Sequence, residues 1–122
     1  MNEQQQKFES YLDEQIAACK QRGKLLSEDG RIDEGNFEKV RANVYEIFKT
    51  ILSVSERVCG GDDSAKRAFF LQKAEQIPAG WGASYEKANQ NGDIEKAHIE
   101  SVKLDTIQDI KDMCMQLWEE TT

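Results

Sequence analysis

The sequence predicts an all-α protein: an antiparallel up-down bundle of four main helices, plus a short helix near residues 79–90. Three observations lead there. Charged residues make up 32% of the chain and apolar residues 39%, with a single proline in 122 positions and no alternating runs of Val, Thr or Ile. Straight-chain residues of this kind lose little side-chain freedom in a helix. Apolar residues recur at spacings of three and four in several long segments, and clusters of Gly, Asn and Asp separate those segments. At 13.9 kDa the chain forms one domain, 1–122. It buries roughly two-thirds of its unfolded surface, so no metal or disulfide is required to hold a core.

The first helix spans about Glu3 to Leu26. Phe8, Leu12, Ile16 and Cys19 mark its buried stripe, and Gly23 weakens its end. The run "SEDGRIDEG" is a tight, turn-rich link, which makes the next helix an antiparallel neighbour. That second helix carries the clearest pattern: Phe37, Val40, Val44, Ile47, Ile51, Val54 and Val58 form a heptad seam, widened by Phe48 and Leu52. Starting near Asp33 and ending at Gly60-Gly61, it is roughly 38 Å long.

Asp62, Asp63 and Ser64 are each able to cap the third helix, whose stripe reads Ala65, Ala68, Phe69 and Gln72. Pro78 is expected to stop it, because a residue before proline is pushed out of helical geometry. Within "QIPAGWGASYEKANQNGD", Trp81, Tyr85 and Ala88 then share one face of a short helix. This helix is expected to lie across one end of the bundle as a plain corner, with a lid over a ligand site as the alternative. The last helix runs from the cap Asp93 to about Trp118. Its stripe is Ile99, Val102, Thr106, Ile110, Met113 and Leu117, flanked by Ile107 and Cys114. Acids suit its start but not its end, where Glu119 and Glu120 oppose the helix dipole.

A net charge of −7 disfavours binding to nucleic acid and to anionic lipid. No apolar run approaches the ~20 residues of a membrane span, and Met1 leads straight into polar residues, without a secretory signal. Three widely spaced cysteines, Cys19, Cys59 and Cys114, form no CxxC motif. Together these features imply a reduced, cytoplasmic protein whose cysteines act as small core residues.

No motif completes a catalytic or metal set. Glu95-x-x-His98 has the spacing of a di-iron bundle ligand pair, but one histidine in the chain cannot supply two copies. The segment 29–40 resembles a calcium loop with Glu34 and Val40 where glycine and glutamate are needed. "GGDDSAKR" lacks phosphate-loop spacing. Asp109 and Asp112 are read as a solvated face, His98 as a rim residue, and the stripe cysteines as unreactive.

Two features remain. Glu100 and Lys103 fall on or beside the apolar sector of the last helix, an expensive place for charge. They either line a polar pocket with Trp81 and Tyr85 or snorkel to water at a frayed end, the simpler reading. Leu104 and Met115, with Ala97 and near Trp118, form a second apolar face suited to a partner, most simply a second copy.

"YEKANQNGDIEKA" resembles the centre of a tetratricopeptide hairpin, with Tyr85, Ala88, Gly92, Asp93 and Ala97 in corresponding places. No second repeat is visible. The pattern Pro78-x2-Trp81, Gly92-Asp93, Lys103-Leu104 and Trp118 resembles a group of small uncharacterised all-helical proteins of Gram-positive bacteria. That resemblance implies the fold and no activity. The sequence therefore points to a non-catalytic, cofactor-free, homodimeric or adaptor module that binds protein, with an interface at Leu104, Met115 and Trp118. The alternative is a small-ligand or enzymatic pocket built from Trp81, Tyr85, Glu100 and Lys103.

Overall fold

In a computed structural model that describes residues 3–118, four helices follow one another: α1 (Glu3–Glu28), α2 (Ile32–Cys59), α3 (Asp63–Gln90) and α4 (Ile94–Leu117). Each link is three residues long, so neighbours run antiparallel and the helices form a four-helix bundle. Gly30 and Gly92 adopt positive φ and let the chain reverse. There the Arg31 N–H donates to Leu26 O at 2.8 Å, and the Asp93 N–H to Ala88 O at 2.9 Å. Asp62 caps α3 by accepting from the Ala65 N–H at 3.0 Å, and Asp93 caps α4 by accepting from the Lys96 N–H at 3.1 Å. Glu119 and Glu120 lie outside the described residues.

The predicted separate helix at 79–90 is not present. It is the second half of α3, which passes through Pro78 without a break. A mid-helix proline costs about 3 kcal/mol because it removes one hydrogen bond and crowds the carbonyl four residues back. Here Pro78 and Ala74, four residues before it, are both buried, and Trp81 packs onto the core. Burial of that continuous face outweighs the local preference. The stretch 76–93 is therefore neither a corner nor a lid, but the body of the α3–α4 hairpin.

The core joins all four helices through one aromatic cluster. Phe8 of α1 meets Phe70 of α3 edge-on at 5.2 Å, and Phe48 of α2 meets the same ring at 5.9 Å. Trp118, which ends α4, lies 6.3 Å from Phe8 and 6.2 Å from Phe70. The Arg67 side chain holds it in place by donating from Nε to Trp118 O at 2.7 Å. Around these rings pack Leu12, Cys19, Val44, Leu52, Ala74, Ile107, Ile110 and Cys114.

The predicted stripes of α1 and α4 agree with this core, but those of α2 and α3 are rotated. In α2 the buried residues are Gly35, Glu38, Ala42, Val44, Tyr45, Phe48, Leu52 and Ser55, whereas Ile47 and Val58 of the predicted seam are exposed. Apolar residues cover so much of this helix that spacing alone does not choose the arc. In α3 the core residue is Phe70, not Phe69, and the buried line is Lys66, Phe70, Ala74 and Pro78. Lys66 disguised that line as polar. Its Nζ lies 3.0 Å from Glu56 and 2.9 Å from Asp63, and Gln5 of α1 donates to Asp63 at 2.9 Å.

At the other end α1 and α2 cross closely. A Cβ on Gly35 would stand 3.0 Å from Gly23 O and 2.5 Å from Ser27 Oγ. Gly80, by contrast, lies inside α3 with open space around it. Gly35→Ala is expected to lose about 1–2 kcal/mol, since a backbone carbonyl cannot move aside and overpacking exceeds the gain in helix propensity. Gly80→Ala is expected to gain about 0.5–1 kcal/mol. Urea unfolding of the two variants measures both, and equal effects would contradict the close crossing.

Candidate functional site

The α3–α4 hairpin brings together three of the four residues singled out as a pocket, Trp81, Glu100 and Lys103. Glu75 pairs with Lys111 at 2.6 Å and Trp81 faces Lys103, so the two helices run side by side in opposite directions. Tyr85, half-buried, lies one turn after Trp81 on α3. Glu100 does not snorkel: it is only 6% exposed. Its Oε1 accepts from Lys103 Nζ at 3.2 Å, and its Oε2 is buried with no hydrogen-bond partner. The Lys103 ammonium also lies 5.7 Å from the centre of the Trp81 ring. A carboxylate on one side and an aromatic face on the other make a cation site. The chain's own lysine fills it.

Other buried charges are bound into the fold. Glu38, on the inner side of α2, receives Arg22 of α1 at 3.2 Å and Arg41 at 2.8 Å. Burial and the Glu38 charge push the Cys19 thiol upward. Burial raises the Cys114 thiol to about 11. Both thiols are thus poor nucleophiles at neutral pH. Burial also lifts Tyr45 above the usual phenol range, reinforced by the hydrogen bond it shares with Tyr11. At the opposite end of α2, burial opposes charge on Lys66, but its bonds to Asp63 and Glu56 outweigh it and raise the ammonium. Asp109 and Asp112 are exposed on α4. Among the described residues no three His, Cys, Asp or Glu side chains converge as a metal site, and no helix is long and apolar enough to cross a membrane.

The interface predicted on α4 is reduced by the fold. Trp118 is 1% exposed and belongs to the core, so it offers nothing to a partner. Ala97 is buried and Leu104 half-buried. Met115 alone stands well exposed at 54%, with its sulfur 3.2 Å from an Arg67 nitrogen. Sequence periodicity put Trp118 beyond the stripe because it closes the helix. Its burial follows from Phe8 and Phe70, which come from elsewhere in the chain.

A different surface is open where the two turns 29–31 and 91–93 meet. Phe37 of α2 and His98 of α4 lie against each other, tilted by 34°, with ring centres 4.2 Å apart. Beside them lies a cleft of about 410 Å³ lined by Asp33, Asn36, Phe37, Ile94, Glu95 and His98. Ile94 is 83% exposed, and Ile32 and Leu25 are exposed at the same end of the bundle. Sequence reasoning had placed Phe37 in the core seam and passed over Ile94. The available signal was an isoleucine directly after the cap Asp93, one turn before the apolar stripe begins at Ile99. "YEKANQNGDIEKA" does form a helical hairpin turn. It packs into a four-helix bundle instead of a stack of repeats.

No protein-family model, curated protein or solved structure matches this chain, and the site is read from its own chemistry. If Lys103 compensates the buried Glu100 carboxylate, removing the cation alone should cost more than removing the pair. Lys103→Met is expected to lose about 1–3 kcal/mol. The double variant Glu100→Leu/Lys103→Met should recover most of that loss. Chemical denaturation followed by circular dichroism measures both, and a single variant as stable as the parent would dissociate the two side chains.

Proposed function

We propose that the chain is a non-catalytic helical module of the cytoplasm that binds another protein through the end of the bundle carrying the 29–31 and 91–93 turns. The observation that carries this reading is the exposure of Ile94 at the Phe37–His98 cleft, with Ile32 and Leu25 exposed at the same end of the bundle. Large apolar side chains gathered at one end, rimmed by polar residues, are the mark of a contact surface. Three free cysteines suit a reducing compartment. Self-association through α4 has less support, since it would rest on Leu104 and Met115. A photo-cross-linking residue at position 94 is expected to capture protein partners in cells, whereas the same residue at position 115 is not. Light scattering at tens of micromolar is expected to report a monomer. A dimer that Met115→Asp dissolves would move the binding surface to α4 and overturn this reading.

A small-ligand site at Trp81, Tyr85, Glu100 and Lys103 is the second reading, favoured by the unpartnered Oε2 of Glu100. A ligand bearing an ammonium would replace Lys103 between Glu100 and Trp81. A thermal-shift screen of organic amines and divalent metals tests it. A hit is expected to raise the melting temperature of the parent and not of Glu100→Gln, and a screen without any such hit would remove this reading.

A further inference from the structure

We infer that the cleft between α2 and α4 recognises a basic residue flanked by apolar ones on a partner protein, and does not recognise a second copy of this chain. The inference rests on the proposed binding end and adds the chemistry of its occupant. The cleft has one apolar wall and two acidic edges. Phe37, with His98 tilted against it, and the open side chain of Ile94 form the wall. Asp33 on α2 and Glu95 on α4 form the edges, and among the described residues neither is held in an ion pair. Elsewhere the buried carboxylates have their cations: Glu38 has Arg22 and Arg41, and Glu100 has Lys103. These two acids stay open beside an aromatic ring, and a guanidinium or ammonium entering there would meet both charges and the ring face.

Two other occupants fit less well. The amide ends of α2 and α4 attract anions, but Asp33 and Glu95 already supply negative charge in those first turns, and Asp93 caps α4. A second copy joined end to end about a two-fold axis would present the same surface to itself. Segments 28–34 and 93–96 hold Glu28, Asp29, Asp33, Glu34, Asp93 and Glu95 against Arg31 and Lys96, and Arg31 is already bonded to Glu34. Acid would face acid, which lowers both the rate of encounter and the affinity. A cleft of about 410 Å³ has room for a side chain or two but not for a helix, so the recognised unit is a short segment.

The test is a titration of the ¹⁵N-labelled full chain with acetylated, amidated pentapeptides ALRLA, ALQLA and ALELA, followed by amide shifts. ALRLA is expected to perturb residues 33–37 and 94–98 saturably and to bind about fivefold more tightly than ALQLA, as expected for one cation near two exposed carboxylates. ALELA should bind weakest. The preference should fade as salt rises from 50 to 300 mM and should vanish in Asp33→Asn/Glu95→Gln, whose unchanged spectrum elsewhere confirms its fold. Equal binding of ALRLA and ALQLA at this cleft would overturn the charge assignment and leave the binding end standing. No perturbation by any peptide would remove both. Concentration-dependent shifts at the same amides without peptide would make the occupant a second copy and likewise overturn the inference.

Discussion

One aromatic cluster, with a ring from each helix, determines how the four helices meet. Phe8, Phe48, Phe70 and Trp118 come from parts of the chain up to 110 positions apart, and each is fully or almost fully buried. Removing a buried ring of this kind from a core typically costs about 3–5 kcal/mol, a large part of the stability of a domain this size. Edge-on and tilted geometry adds a directional preference that aliphatic packing lacks. The rotation of α3 follows directly: turning Phe70 inward carries Lys66 inward one turn away, and the fold compensates with Asp63 and Glu56. The same rotation turns Phe69 outward, where it receives the Lys73 ammonium at 5.5 Å.

The continuity of α3 through Pro78 is the second consequence. With Phe70 and Ala74 fixed against the core, the next positions on that face are Pro78, Trp81, Tyr85 and Ala88. Continuing the helix keeps them against α4, whereas breaking it at the proline would strand a tryptophan and a tyrosine. The local rule that proline ends helices remains valid as a statement about isolated chains. Here a longer-range burial outweighs it. Because α3 continues, Trp81 lies beside α4, so Lys103 has an aromatic face to lie on and Glu100 is covered.

Polarity is distributed unevenly between the two ends. Where α2 ends and α3 begins, Lys66, Gln5, Asp63 and Glu56 link α1, α2 and α3 in one polar plug. At the end with the 29–31 and 91–93 turns, α1 and α2 cross on glycines. The large apolar side chains there lie outside instead of in the core, and free carboxylates stand beside them. That is an arrangement for contact: apolar surface supplies affinity and charge supplies selection.

The candidate site was legible only in part. Glu100 and Lys103 announced themselves as charges on an apolar sector, because helical spacing alone places them there. That Glu100 is covered while Lys103 bends toward Trp81 depends on the register between α3 and α4, which no single helix contains. The Phe37–His98 cleft was not legible, since its residues lie some 60 positions apart and Phe37 looked like core. Trp118 failed in the opposite sense: it looked like a surface anchor, and Phe8 of α1 and Phe70 of α3 close over it.

By itself the amino-acid sequence determined the helical class, the number of long helices, the turns at Gly30, Gly60 and Gly92, the cap Asp93, and the buried stripes of α1 and α4. These are local matters, settled by backbone freedom, capping bonds and apolar spacing within one segment. Only the tertiary structure decided which arcs of α2 and α3 face inward, that Pro78 lies within a helix, that Trp118 is core, and where the open surface is. Each of those depends on contacts between residues distant in sequence, and burial across helices outweighs preferences within one.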